Sequence, residues 1–193
     1  CLNSLQCARR AGHELPRAFV RRTHAMALAL GKMLRPDGLL FCQPDSDQVD
    51  ARDLLARSAQ LFQDPALTGY APGELFAENA WDFADRFGGY EHLQAQLPTG
   101  SCALADSGNY MLRDSDGPAA GMLHLHCGSL GSGHGHADLL HVDLVHAGVT
   151  ILADSGRYTY REGELRRALK APAGHNTVVV DGADFSTYRS SWS

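Results

Sequence analysis

Seven of the chain's ten histidines lie between His124 and His175, and two of them share the run Gly131-Ser-Gly-His134-Gly-His136-Ala-Asp138. An imidazole can ligate a metal, move a proton near neutral pH, or sit in a core as a hydrogen-bonded polar group. On an extended backbone, residues two apart face the same side. His134 and His136 then stand side by side, roughly 7 Å apart at their backbones. The glycines around them remove side chains that would block a ligand. Asp154 follows His136 by eighteen residues, and His175 follows Asp154 by twenty-one. Two imidazoles and one carboxylate make a zinc set with a fourth position open to water. Spacings this long can be closed only by tertiary folding. The plainer alternative is a group of hydrogen-bonded core histidines, and His124, His126, His141 and His146 are expected to be of that kind, on strand faces.

The elements that must position these residues change character near residue 95. Before it the pattern is helical. Phe19, Met26, Ala27, Leu30, Met33 and Leu34 recur at spacings of three and four, which predicts a helix over 17–34 with Pro16 at its start and the turn Pro36-Asp37-Gly38 beyond it. A second helix is predicted over 50–62, with Asp50 as its N-cap and Leu54, Leu55, Leu61 and Phe62 inward. A third is predicted over 74–87. After residue 95 the pattern alternates. Strands are predicted over 121–127, 139–145, 149–154 and 178–180, with a hairpin-like break at His146-Ala147-Gly148, a turn at Asp181-Gly182 and a short helix over 164–170. Helices followed by antiparallel strands give an α+β chain. Neither half looks complete, so both ends are expected to continue in a longer protein.

Composition bounds the function. The chain has 193 residues, 44% hydrophobic and 20% charged, as in a packed protein. A net charge of -5 argues against general nucleic-acid binding, which uses a basic face. No apolar run reaches the roughly 18 residues that span a bilayer, and the first ten residues lack a signal-peptide pattern. Five scattered cysteines, none in a CxxC pair, give neither a disulfide framework nor a zinc finger. Between Ser155 and His175 the charge reverses: Arg157, Arg161, Arg166, Arg167 and Lys170 stand against Glu162 and Glu164. Arginine's planar fork suits carboxylates and sulfates. Arg157 and Arg161, near the histidine run, are the better candidates for such contacts. Arg166 and Arg167 read equally well as a solvated helix face.

Two known metal motifs do not fit. The HxHxDH of metallo-β-lactamase-type hydrolases fails because Leu139 follows Asp138. The cupin pattern needs a nearby glutamate, and the first after His136 is Glu162. The order GHGHADLL, LADSGRYTY, GHNTVVVDG resembles instead the heparinase II/III-like family of polysaccharide lyases. Upstream, Ser107-Gly-Asn-Tyr-Met-Leu-Arg113 resembles the strand that leads into this pattern. Pro36-Asp-Gly38 and Asp45-Ser-Asp47 resemble the last turns of the family's helical domain.

This resemblance implies the end of an incomplete (α/α) toroid over 1–95, joined to the first part of an antiparallel β-sandwich over 96–193. It implies one zinc ion held by His136, Asp154 and His175, with His134 facing the substrate. A tyrosine after Asp154 belongs to the same site; Tyr158 and Tyr160 both fit and Tyr160 is preferred. Arg157, Tyr158 and Arg161 are expected to touch substrate. Asp138 and Asn176 are expected behind the ligands: a ligating histidine usually donates its other N–H to a carboxylate or carbonyl, and Asn176 is read first as a strand-end amide. The implied reaction is β-elimination on an acidic, uronic-acid-containing polysaccharide. Heparin-like chains, alginate and bacterial exopolysaccharides satisfy the same logic. Such polymers place the protein in a bacterial periplasm or outside the cell. The first tyrosine is Tyr70, so the helical-domain tyrosine of the family's chemistry is expected to precede residue 1, and the chain alone to be weak or inactive. The zinc is expected to be structural. Two other readings stay open: a non-catalytic carbohydrate-binding or structural metal module, and a metal-dependent glycan hydrolase.

Overall fold

The computed structural model describes residues 1–42, 44–69, 90, 92–96, 99–117, 119–131 and 133–187. The chain divides into two compact units, Cys1–Leu34 with Asp50–Thr99, and Arg35–Val49 with Gly100–Ser193.

The first unit is helical. Helices α1 (Leu2–Arg10), α2 (Arg17–Met33), α3 (Arg52–Phe62) and the single turn α4 (Pro65–Thr68) follow in order. The α1 helix carries no strong start signal and was not expected from the sequence. Leu5 and Leu61 are buried together against Leu2, Leu15, Phe19, Val20 and Phe62. The α2 helix keeps most of the predicted face inward, with Ala27 and its C-cap Leu34 buried and Phe19 against the core, but replaces Met26 there with small residues. Thr23, Ala27 and Gly31 are buried, whereas Met26 is 55% exposed. Small side chains one turn apart allow close approach of a neighbouring helix. The α3 helix begins later than expected, with Ala51 rather than Asp50 at the N-cap. Asp50 still serves the helix start, accepting from the Arg52 amide at 3.0 Å and pairing with its guanidinium at 2.6 Å. At α4, Asp64 caps the Ala66 amide at 2.9 Å and Pro65 takes the first helical position, where no N–H is needed. The helix predicted over 74–87 lies outside the described residues.

The second unit is a five-stranded antiparallel meander, in sheet order β1 (Cys102–Leu104), β2 (Asn109–Arg113), β3 (Met122–His126), β4 (His141–His146) and β5 (Val149–Leu152). Ala147 and Gly148, with φ of 48° and 76°, make the two-residue β4–β5 turn, whose positive dihedrals match the twist of paired strands. Alternation sends Met111, Met122, His124, His141, Asp143 and Val145 to the buried face. Register sets His124 opposite Asp143 and His126 opposite His141. The segment Arg35–Val49 belongs to this unit, with Phe41 stacked on His124 at 5.4 Å between ring centroids. Helix α5 (Glu164–Lys170) and a 3-10 turn (Pro172–Gly174) follow the sheet. The strand predicted over 178–180 is not formed. Only a bridge from Val180 to Ala183 closes the Asp181-Gly182 turn, and the three valines are 40–67% exposed. Their β propensity finds no partner strand among the described residues. The architecture is α+β, as the sequence predicts. No described helix is long and apolar enough to cross a membrane.

Candidate metal centre

The end of β5, the turn after α5 and the loop before β4 bring Asp154, His175 and His136 together. One ligand atom from each lies within 4.8 Å of the others. His136 and Asp154 are buried, and the His175 side chain is wholly covered. His175 Nδ1 lies 2.6 Å from Asp154 Oδ2, and the His136 and His175 rings are 5.2 Å apart at their centroids. His136 Nδ1 and His175 Nε2 are buried and have no hydrogen-bond partner among the described residues. Two such nitrogens beside a carboxylate cost stability unless something binds them. The donor set, two imidazoles and one carboxylate, suits zinc. These residues therefore fit the metal.

A polar scaffold lies behind the three residues. His141 Nε2 is 3.1 Å from Asp143 Oδ1 and 3.5 Å from Asp154 Oδ2, out of line for a hydrogen bond to either. The Asn176 amide donates to His141 Nδ1 at 3.2 Å, which leaves the His141 proton on Nε2, facing the two carboxylates. Asp143 accepts from the Asp154 amide at 2.9 Å, and its other oxygen meets His124 Nδ1 at 3.1 Å. Burial pulls the His141 imidazole down, but the close Asp143 carboxylate, with those of Asp154 and Asp138, outweighs it and raises its pKa. Burial would raise Asp143 and Asp154, yet their histidine partners hold both carboxyls below the ordinary range. For His136 burial wins, and the imidazole is pushed down in spite of Asp45.

Asp45, read from the sequence only as part of a helical-domain turn, proves to be a site residue. Its side chain is 1% exposed and its backbone takes φ of 57°, which Asp tolerates better than most residues. Both terminal nitrogens of Arg166, itself fully buried, bond its two oxygens. His136 Nε2 meets Asp45 Oδ1 at 2.8 Å and His134 Nδ1 meets Oδ2 at 3.1 Å. Burial would raise the Asp45 carboxyl, but the Arg166 and histidine hydrogen bonds drive it well below the usual range. Arg166 thus departs from the solvated helix face read from the sequence. Arg167 keeps that character, exposed and paired with Glu162 at 2.9 Å.

Around this pair the structure sets His134 and Tyr160 together, with ring centroids 5.9 Å apart and edge to face. The His134 side chain is 69% exposed. The Tyr160 hydroxyl donates to the Asp45 carbonyl at 3.1 Å. The guanidinium of Arg157 lies 4.7 Å and that of Arg166 5.4 Å from the Tyr160 ring centre. Arg157 also pairs with Asp47 at 2.5 Å. Tyr158, at 78% exposed, and Arg161 lie on the surface. Asp138 accepts from His126 at 2.9 Å rather than from any of the three metal-site residues. The Asn176 side-chain amide donates to the Ala153 carbonyl at 2.9 Å and its backbone carbonyl accepts from the Val142 amide at 3.0 Å, although Asn176 itself lies in no strand. All five cysteines are free.

The chain belongs to the heparinase II/III-like family: the description of the family's C-terminal domain matches residues 96–193. No curated protein matches it. Among solved structures it is similar to the Heparinase III-BT4657 gene product, at 22% identity and a TM-score of 0.71, over 90% of this chain and 26% of that one. It is similar to heparan sulfate lyase HepC from Pedobacter heparinus at 22% identity and a TM-score of 0.64, over 88% of this chain and 25% of that one. A further structure, described as heparinase III, shares 19% identity with a TM-score of 0.68, over 88% of this chain and 28% of that one. At these identities the likeness is one of fold, and the chain spans about a quarter of each of these structures.

Proposed function

We propose that this chain is part of a polysaccharide lyase that cleaves an acidic, uronic-acid-containing polymer by β-elimination. In this reading 1–95 is the last part of an α/α toroid and 96–193 the first part of a β-sandwich, with the segment Arg35–Val49 grouped with the sheet unit. The observation that carries the reading is the exposed His134 ring set beside Tyr160 and joined through the Asp45 carboxylate to His136, a member of the buried His136–Asp154–His175 group. Family membership supports it.

Elimination removes the proton on C5 of the uronate, forms the C4–C5 double bond and expels O4, which takes up a proton. Imidazole and phenol suit the two proton transfers when their surroundings bring them into range. His134 and Tyr160 serve as the catalytic residues of this chain. The carboxylate beside C5 must also be neutralised, and Arg157 and Arg161 supply positive charge there, with Tyr158 as a further contact to the polymer. His136, Asp154 and His175 would hold zinc. When bound, the ion ties the Asp154 and His175 segments together and adds to the stability of the fold. The polymer class assigns the protein to a bacterial periplasm or the extracellular space.

The test is product chemistry. The chain, and a longer protein that contains it, are incubated with heparan-sulfate-type chains, alginate and other uronate polymers. A lyase leaves unsaturated uronate ends that absorb in the near ultraviolet. New reducing ends without that absorbance would establish a hydrolase and sink the proposal.

A further inference from the structure

Asp45 and Arg166 stand 121 residues apart, yet they form one buried unit beneath the Gly-His-Gly-His run. An ionised carboxylate only accepts hydrogen bonds, at about four lone-pair sites on its two oxygens. Arg166 takes two of these sites, one on each oxygen. The remaining contacts are His136 Nε2 on Oδ1 at 2.8 Å and His134 Nδ1 on Oδ2 at 3.1 Å. A ring nitrogen that turned its lone pair to a carboxylate oxygen at that distance would be repelled. Both rings must therefore donate, and they donate from opposite nitrogens.

We propose that Asp45 is a positioning residue that fixes the two histidines in opposite tautomers, His136 with its proton on Nε2 and His134 with its proton on Nδ1. The lone pair of His136 then sits on Nδ1, the buried nitrogen that has no hydrogen-bond partner among the described residues. The lone pair of His134 sits on Nε2. One carboxylate thus prepares one ring to ligate and its neighbour to accept a proton. Arg166 holds the carboxylate to both, with the Tyr160 ring over the guanidinium and the Tyr160 hydroxyl on the Asp45 carbonyl. A neutral imidazole has two tautomers, and the partner of one nitrogen decides what the other can do. The inference rests on the reading of His134 and His136 as site residues, but it concerns the chain alone.

The test is imidazole nitrogen spectroscopy on the 15N-labelled chain, without substrate or added metal, with the two rings assigned through His134→Gln and His136→Gln. The expected spectrum has His136 protonated on Nε2 and His134 on Nδ1. In Asp45→Asn one ring must switch, because whichever way the amide is turned, one of the two faces an NH2 group and has to offer a lone pair. Asp45→Glu keeps the carboxylate and keeps both tautomers. Either ring in the other tautomer in the unaltered chain, no switch in Asp45→Asn, or a switch in Asp45→Glu would overturn the proposal. If Asp45→Asn does not fold, the unaltered chain and Asp45→Glu decide it. No turnover is measured here, so this failure is distinct from a failure to find elimination products.

Discussion

At the scale of single residues, the site joins an exposed pair to a buried charge. His134→Ala and Tyr160→Phe should each slow elimination by the parent protein by about 10²-fold or more, the range of one acid–base group, with zinc content unchanged. A rate within a few-fold of the parent for both variants would remove them from the chemistry. Arg166 lies under the surface with its charge on Asp45 alone among acidic partners in the described residues. Removal of one partner of a buried pair leaves an uncompensated charge, so Arg166→Ala should lower unfolding stability in urea by about 3 kcal/mol or more. A loss under about 1 kcal/mol would mean that water reaches the carboxylate. Acid sensitivity follows from Asp45 and Asp143. Burial opposes their ionised forms, and hydrogen bonds from Arg166 and from the histidines overcome it, so both carboxyls are depressed in the folded chain. A depressed group contributes fully above its unfolded value, about 3.9 for aspartate, and loses that contribution as pH falls through the folded value. Circular dichroism should show unfolding set in below about pH 4. His141 works in the opposite sense. Its raised pKa contributes below the unfolded value of about 6.5 and is lost as pH rises through the folded value.

At the scale of elements, the sheet depends on a close crossing. Gly108, at φ of 69°, ends the 3-10 turn between β1 and β2. A Cβ placed there would lie 2.3 Å from the Gly128 Cα, just beyond β3. The Gly108 carbonyl also accepts from the Cys127 amide at 2.7 Å, so the two segments cannot part without loss of that bond. Gly108→Ala combines a left-handed strain with a backbone clash and should cost about 2 kcal/mol or more, measured by thermal or urea unfolding. Gly148, which also has positive φ but meets nothing within 4 Å, should cost less as alanine. Equal effects at the two sites would mean that strain alone, and not the crossing, decides the matter. The β4–β5 hairpin has a local functional consequence: it delivers Asp154 immediately after β5, so that Asp143 on β4 can hold its amide.

At the scale of the whole molecule, no disulfide ties the two histidine segments to the aspartate. A metal that binds the folded chain alone stabilises it in proportion to the logarithm of its concentration over its dissociation constant. Purified protein should hold about one zinc per chain, as a single set of three donor residues requires. His136→Ala and His175→Ala should both lose it, and a chelator should lower Tm. A folded chain free of zinc and indifferent to chelator would leave the three residues as a hydrogen-bonded core group. The chain matches heparinase III structures over about a quarter of their length, so the proposed elimination is best tested on a longer protein that contains it.

The sequence by itself determined what is local. Periodicity located α2, α3 and α5, and alternation located β3, β4 and β5, each within a few residues. The glycine-spaced histidines and the three ordered runs were enough to place the chain in its family. Local pattern failed where a neighbour was needed. The valines 178–180 have strand propensity but no strand beside them, and the inward seam of α2 follows the small residues rather than Met26. Only the tertiary structure decided the rest of the site. It joined Asp45 to Arg166 across 121 residues, turned Arg166 from a surface cation into a buried one, and put Asp138 on His126 rather than on a metal-site residue. The physical reason is that a buried charge is tolerated only where its partner and hydrogen bonds converge. That convergence belongs to the packed chain and has no signature in the spacing of residues along it.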